Sequence, residues 1–453
     1  MQKTGRKLSF VLAGATAGAL VLSGCSGAGS TGGGGTEGGD NTITALMVGN
    51  PQMEDIQKLT ADNFTKQTGI TVKFTILPEN ELRDKVTQDV ANQGGQYDVA
   101  TVGAYEVPIW AKNGWLHELS TQAAADSSYD QADLIKPMVQ SLTGDDGKMY
   151  AAPFYGESSF LMYNKELFEA AGLTMPEKPT WAQVAEFAKK LNKGDVAGIC
   201  LRGLPGWGEL FAPLTTVVNT YGGTWFEKDW TPKVNSPEFK EAANFYVNLV
   251  KNYGESGAPQ AGFTECLNTF SQGKAAMWYD ATSAAGTLED PGASKVAGKV
   301  GYAYAPVNKT EYSGWLWTWA FAMPKTTKKA DNAWKFISWA TGKDYEKLVG
   351  QKLGWSRLPS GKRTSTYSIP EYKESAKAFA DLTLKSIENA NPQNPGVQPR
   401  PALGVQFVGI PEFADLGTKS SQEVSAAIAG SKTVDQALND GQKLAEDVAK
   451  KYK

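Results

Sequence analysis

Four polar side chains stand just past the ends of apolar runs: Asn50 after Thr42–Val48, Glu79 after 70–76, and the pair Tyr105 and Glu106 after 97–102. An amide, two acids and a phenol suit recognition of a polar solute through hydrogen bonds. The rest of the inventory excludes much other chemistry. The chain has one histidine, His117, so a Ser-His-Asp triad and a zinc site of His and Cys ligands are both disfavoured. No cofactor or metal is called for. Cys200 and Cys266 could pair in an oxidising exterior, but two isolated thiols give no spacing pattern and buried free cysteine is common, so free thiols are the favoured reading.

The elements that must place these groups are legible in the periodicity. Thr42 to Val48 reads as a buried strand stopped by Gly49-Asn50-Pro51. Met53, Ile56, Leu59 and Phe64 space a helix, the alternation Ile70, Val72, Phe74, Ile76 a second strand, and Leu82, Val86, Val90 a second helix. Residues 97–102 supply a third strand. Strand, helix, strand, helix, strand predicts a mainly parallel sheet, whose ligand sites lie beyond the carboxyl ends of the strands. Further on, Thr180 with Gln183 and Thr433 with Gln436 form capping boxes, and Ser236-Pro237 is a helix start.

Lys3, Arg6 and Lys7 precede an apolar run from Phe10 to Leu22 that ends in Leu22-Ser23-Gly24-Cys25, a sequence that resembles the lipobox of bacterial lipoproteins. Residues 1–24 are therefore expected to be a signal peptide, Cys25 the lipidated N-terminus, and the Gly-rich tract 25–40 a tether to the outer face of a membrane. Removing residues 1–24 takes three positive charges from a chain with 45 Lys and Arg against 48 Asp and Glu, leaving a net charge of about −6. That balance argues against nucleic acid as a partner. The remaining length suits two domains.

Several segments carry a family resemblance. Gly147-Lys148-Met149-Tyr150-Ala151-Ala152-Pro153, the run Phe160-Leu161-Met162-Tyr163-Asn164-Lys165-Glu166-Leu167-Phe168 and Phe270-Ser271-Gln272-Gly273-Lys274-Ala275-Ala276-Met277 resemble the extracellular solute-binding proteins of sugar ABC transporters. Cys200-Leu201-Arg202-Gly203, Gly206-Trp207-Gly208-Glu209, Met277-Trp278-Tyr279-Asp280, Trp315-Leu316-Trp317 and Val408-Gly409-Ile410-Pro411-Glu412-Phe413 are similar to the sorbitol/mannitol-binding branch. The resemblance implies a two-lobed periplasmic-binding-protein-like α/β fold closing by a hinge. Lobe 1 would span 41–153 with a return at 315–360, and lobe 2 would span 154–314 with a helical part at 361–453. It also implies a monomer that captures a small neutral polyol or sugar and meets the membrane permease subunits of an ABC importer.

A polyol needs carboxylates and amides to accept its hydroxyl protons, an arginine to donate back, and aromatic faces for its C–H edges. The resemblance places Asn50, Glu79, Tyr105 and Glu106 at the first lobe's rim and Glu157 at the first crossing. Arg202, Trp207, Glu209 and Asp280 fall to the second lobe, and Trp317, Trp355 and Arg357 flank later crossings. Structural readings stand beside these. Glu79 equally suits the acidic first turn of a helix; Arg202 and Glu209 equally suit an internal ion pair; and one face of the strip Trp315, Trp317, Trp319 suits a core. A glycoside hydrolase using Glu106, Glu157 or Asp280 is the rival function.

Overall fold

In the computed structural model the described residues are 41–453, so the signal segment, Cys25 and the tether lie outside the described residues. Strand β1, Thr42–Val48, is apolar on both faces and buried along nearly its whole length, as a central strand must be. Asn50 caps the helix Pro51–Thr60, its Oδ1 accepting from Met53 N at 3.1 Å, with Pro51 at the first helical position. β2, Thr71–Leu77, alternates exposed and half-buried residues and lies at the sheet edge. It feeds the helix Glu79–Ala91, and β3, Val99–Gly103, returns beside β1.

Two further strands complete this sheet: β4, Ala151–Glu157, and β8, Trp317–Ala322, giving the order β2-β1-β3-β8-β4. A second sheet has β5, Ser159–Asn164, between β6, Met277–Ala281, and β7, Val300–Tyr304. The chain thus passes from one sheet to the other between Glu157 and Ser159. Residues 154–157, assigned by sequence to the second lobe, extend β4. Residues 361–368, assigned likewise, hold to the large-sheet side: Lys362 O accepts from Ile135 N at 2.8 Å, and Arg363 Nη2 donates to Tyr129 O at 2.7 Å.

The two-lobed α/β plan matches expectation, while the sheets are mixed. β1 pairs in parallel with β2 and β3, but β8 runs antiparallel to both β3 and β4, and β5 is antiparallel to both neighbours. The cause is the returning chain: β8 comes back from the other lobe and inserts between two strands already laid down. In the second lobe the helix Phe211–Tyr221 is buried on every side and carries no charged residue, the signature of a core helix. The helices Phe413–Ile428 and Val434–Ala449 pack on each other and on Pro237–Tyr253. Both capping boxes form as read. Cys200 and Cys266, 66 residues apart, are not free thiols but are joined in a disulfide with Cα atoms 5.7 Å apart. Among the described residues no helix is long and apolar enough to cross a membrane.

Candidate functional site

The lobes meet over a cavity of about 110 Å³ walled by both. Asn50, Glu79, Arg83, Tyr155 and Glu157 enter from the large-sheet side, and Arg202, Trp207, Glu209 and Phe263 from the other. Trp315, Trp317 and Trp319 also face it, two residues apart along the chain and so on one side of the strip. That side belongs to the buried core and also walls the cavity. Gly103 has no side chain because Trp317 lies against it; a Cβ there would sit 1.9 Å from the indole.

Each polar group is held by another. Arg202, almost fully buried, grips Asp280 through Nε at 2.8 Å and Nη2 at 2.6 Å, while Nη1 donates to Gly208 O at 2.9 Å and Glu209 Oε2 at 3.2 Å. Its acidic neighbours hold the guanidinium charged despite burial. Glu209 also accepts from Phe263 N at 3.2 Å, and burial with the nearby Glu79 pushes its carboxyl up to about 8. Glu157 ends β4 and accepts from Ser283 Oγ; burial lifts it to about 8 as well, against the pull of that hydrogen bond and of Arg202. Burial thus disfavours the charged form of both carboxyls, while Arg202 opposes it. Asn50 Nδ2 donates to Tyr155 OH at 2.8 Å.

Glu79 fulfils both of its readings: it opens its helix, lines the cavity, and accepts from Arg83 Nη2 at 2.9 Å and Nε at 3.1 Å. Arg83 was not anticipated. Its guanidinium carbon sits 4.3 Å from the Trp207 ring centre, 4.9 Å from Trp319 and 5.1 Å from Trp317, a cation held among aromatic faces. The only trace in sequence is its spacing of four from Glu79, which reads equally as a solvent-facing helical pair. Ser283, Phe263, Thr264, Glu265 and Gln406 were also missed: Ser283 lies two residues past β6, and the others follow no strand end.

Five expected residues do not line the cavity. Glu106 pairs with Arg83 and accepts from Gly103 N at 3.1 Å, so it positions Arg83. Asp280 lies within β6, fully buried, and its oxygens are taken by Arg202, Trp278 Nε1 and Ala281 N, so it positions Arg202. Tyr105 donates its hydroxyl to Ile410 O at 2.8 Å, and its ring packs tilted against Trp207 with centres 4.6 Å apart. Trp355 packs against Gly350, away from the ligand space. Arg357 bonds Asp55 Oδ2 at 2.7 Å and Asp290 Oδ2 at 2.8 Å, clamping the helix 51–60 to the segment after β6.

A seam of two-sided, acid-rich, aromatic-walled space between α/β lobes defines a solute-binding protein. The chain belongs to the bacterial extracellular solute-binding protein family, whose model matches residues 50–347. It is 42% identical over 403 residues to a mannitol-binding protein of Pseudomonas aeruginosa, covering 88% of this chain and 91% of that one. It is similar to the crystal structure of an ABC transporter solute-binding protein from Agrobacterium vitis S4 with bound D-mannitol, at 51% identity and a TM-score of 0.88, over 90% of this chain and 98% of the other. A solute-binding protein from Agrobacterium radiobacter K84 in complex with ribitol is 26% identical with a TM-score of 0.80, over 90% and 98% of the two chains.

Proposed function

We propose that this protein is the solute receptor of an ABC importer for sugar alcohols, taking a hexitol such as D-mannitol between its lobes and delivering it to the permease. The supporting observation is the cavity's chemistry. Four carboxyl side chains, Glu79, Glu157, Glu209 and Glu265, line it with two arginines, Arg83 and Arg202, so a neutral polyhydroxyl solute is matched in donors and acceptors. The indoles of Trp315, Trp317 and Trp319 cover its carbon edges. The first lobe carries the five-stranded sheet and the second the three-stranded one, and ligand bridging the two drives closure by its higher affinity for the closed form.

Lipidation at Cys25 tethers this body to the outer face of the membrane, and the mature protein acts as a monomer without enzymatic turnover. Glu106 and Asp280 are each committed to an arginine, which disfavours the hydrolase. A thermal-shift panel of hexitols, pentitols, hexoses and maltose tests the reading. A hexitol at 100 times its dissociation constant is expected to stabilise the protein by about 2.7 kcal/mol. A shift with ring sugars alone would transfer the site to a monosaccharide or disaccharide.

A further inference from the structure

Between the helices Ala380–Asn389 and Phe413–Ile428 the chain runs from 390 to 412 without a regular element, crossing the cavity's flank. This strap is fastened along its length. Asn219 Nδ2 donates to Val405 O at 2.8 Å, and Arg400 donates to Asn219 Oδ1 at 2.8 Å and to Gly404 O at 2.9 Å. Phe407 packs on Tyr105, Trp207 and Trp317 with ring centres 5.3 to 6.2 Å apart. The strap carries one cavity residue, Gln406, which is 3% exposed.

The Gln406 carboxamide is half used. Its Nε2 donates to Leu316 O at 3.0 Å, and its Oε1, buried, has no partner in the protein. The carbonyl of Leu316 accepts only, so the amide nitrogen must face it and the oxygen is fixed on the other side. A buried amide oxygen without a partner is destabilising. Gln406 lines the cavity, so a hydroxyl of the solute that fills it can supply that donor.

We propose that Gln406 is a specificity-determining residue whose Oε1 accepts a hydrogen bond from one hydroxyl of the bound solute, so that the strap reads a donor at that carbon. This rests on the sugar-alcohol reading above. It predicts discrimination against an analogue lacking that hydroxyl, because the amide oxygen is then left buried and unmatched.

Calorimetric titration of the full protein with D-mannitol and its three symmetric dideoxy analogues tests it; symmetric removal prevents the ligand from hiding the loss by turning end for end. One analogue is expected to bind the wild type at least about tenfold more weakly, the worth of one such hydrogen bond. Gln406→Leu is expected to lose about tenfold on D-mannitol and to discriminate less against that same analogue. Gln406→Met, which keeps the side chain's length, serves if the leucine variant unfolds. Asn219→Ala loosens the strap and should weaken all four ligands alike. Wild-type affinity for D-mannitol in both Gln406 variants, or undiminished discrimination in them, overturns the role of Gln406 alone. Failure of the wild type to bind any sugar alcohol overturns the receptor reading with it.

Discussion

Arg202 is the cavity's best-buttressed donor, and its almost fully buried charge is met by two oxygens of Asp280. Asp280→Ala is therefore expected to cost about 3–5 kcal/mol in denaturant unfolding, far more than loss of a surface pair. A cost below 1 kcal/mol would mean that Glu209 alone suffices for Arg202. Glu157 and Glu209 act on stability in the opposite sense. A carboxyl whose folded-state pKa lies above its unfolded value binds more protons when folded, so stability falls as pH rises between the two. For both residues that window runs from about 4.5 to about 8. The ligand-free protein should lose thermal stability across it, and Glu157→Gln should flatten the slope; an unchanged slope in that variant assigns the effect elsewhere. Glu106 and Asp280 looked like ligand contacts because a strand end says that a side chain is near the site. It does not say that an arginine stands between, as Arg83 and Arg202 do.

The disulfide joins two walls of the cavity. Cys200 lies two residues before Arg202, and Cys266 belongs to the helix Phe263–Ser271, whose first residues line the ligand space. Closing a loop between residues 66 apart restricts the unfolded chain by about 4 kcal/mol in the chain-entropy account. Reduction, or Cys200→Ser with Cys266→Ser, should lower the unfolding midpoint accordingly, read by calorimetry with and without reductant; an unchanged midpoint contradicts it. Local signals carried β1, the edge strand β2 and three helix starts, because alternation and caps are properties of neighbouring residues. The antiparallel insertion of β8, the pairing of the two cysteines and the strap at 390–412 depend on contacts between segments distant in sequence. Gln406 was invisible for that reason, lying in a turn-rich stretch with no periodicity.

The two lobes touch across the seam through specific contacts. Asn80 Nδ2 donates to Pro205 O at 2.9 Å, Gln52 Nε2 donates to Ser283 O at 2.9 Å, and Gly208 leaves room for Glu79, whose Oε1 a Cβ would approach to 2.5 Å. Arg357 adds a clamp outside the cavity, between Asp55 and Asp290. Asp290→Asn touches no ligand group, yet it removes closed-state stabilisation of roughly 1 kcal/mol, so affinity should fall about fivefold with specificity unchanged. Equal affinity in that variant would place the clamp outside the closure equilibrium. Capture by closure makes one demand above the others: a hexitol must bind at one site and compact the protein. Small-angle scattering during titration with D-mannitol measures this directly. We expect a saturable decrease in radius of gyration at one ligand per chain; no decrease at ligand excess, or the same decrease with maltose and not with any hexitol, contradicts capture of a sugar alcohol by closure.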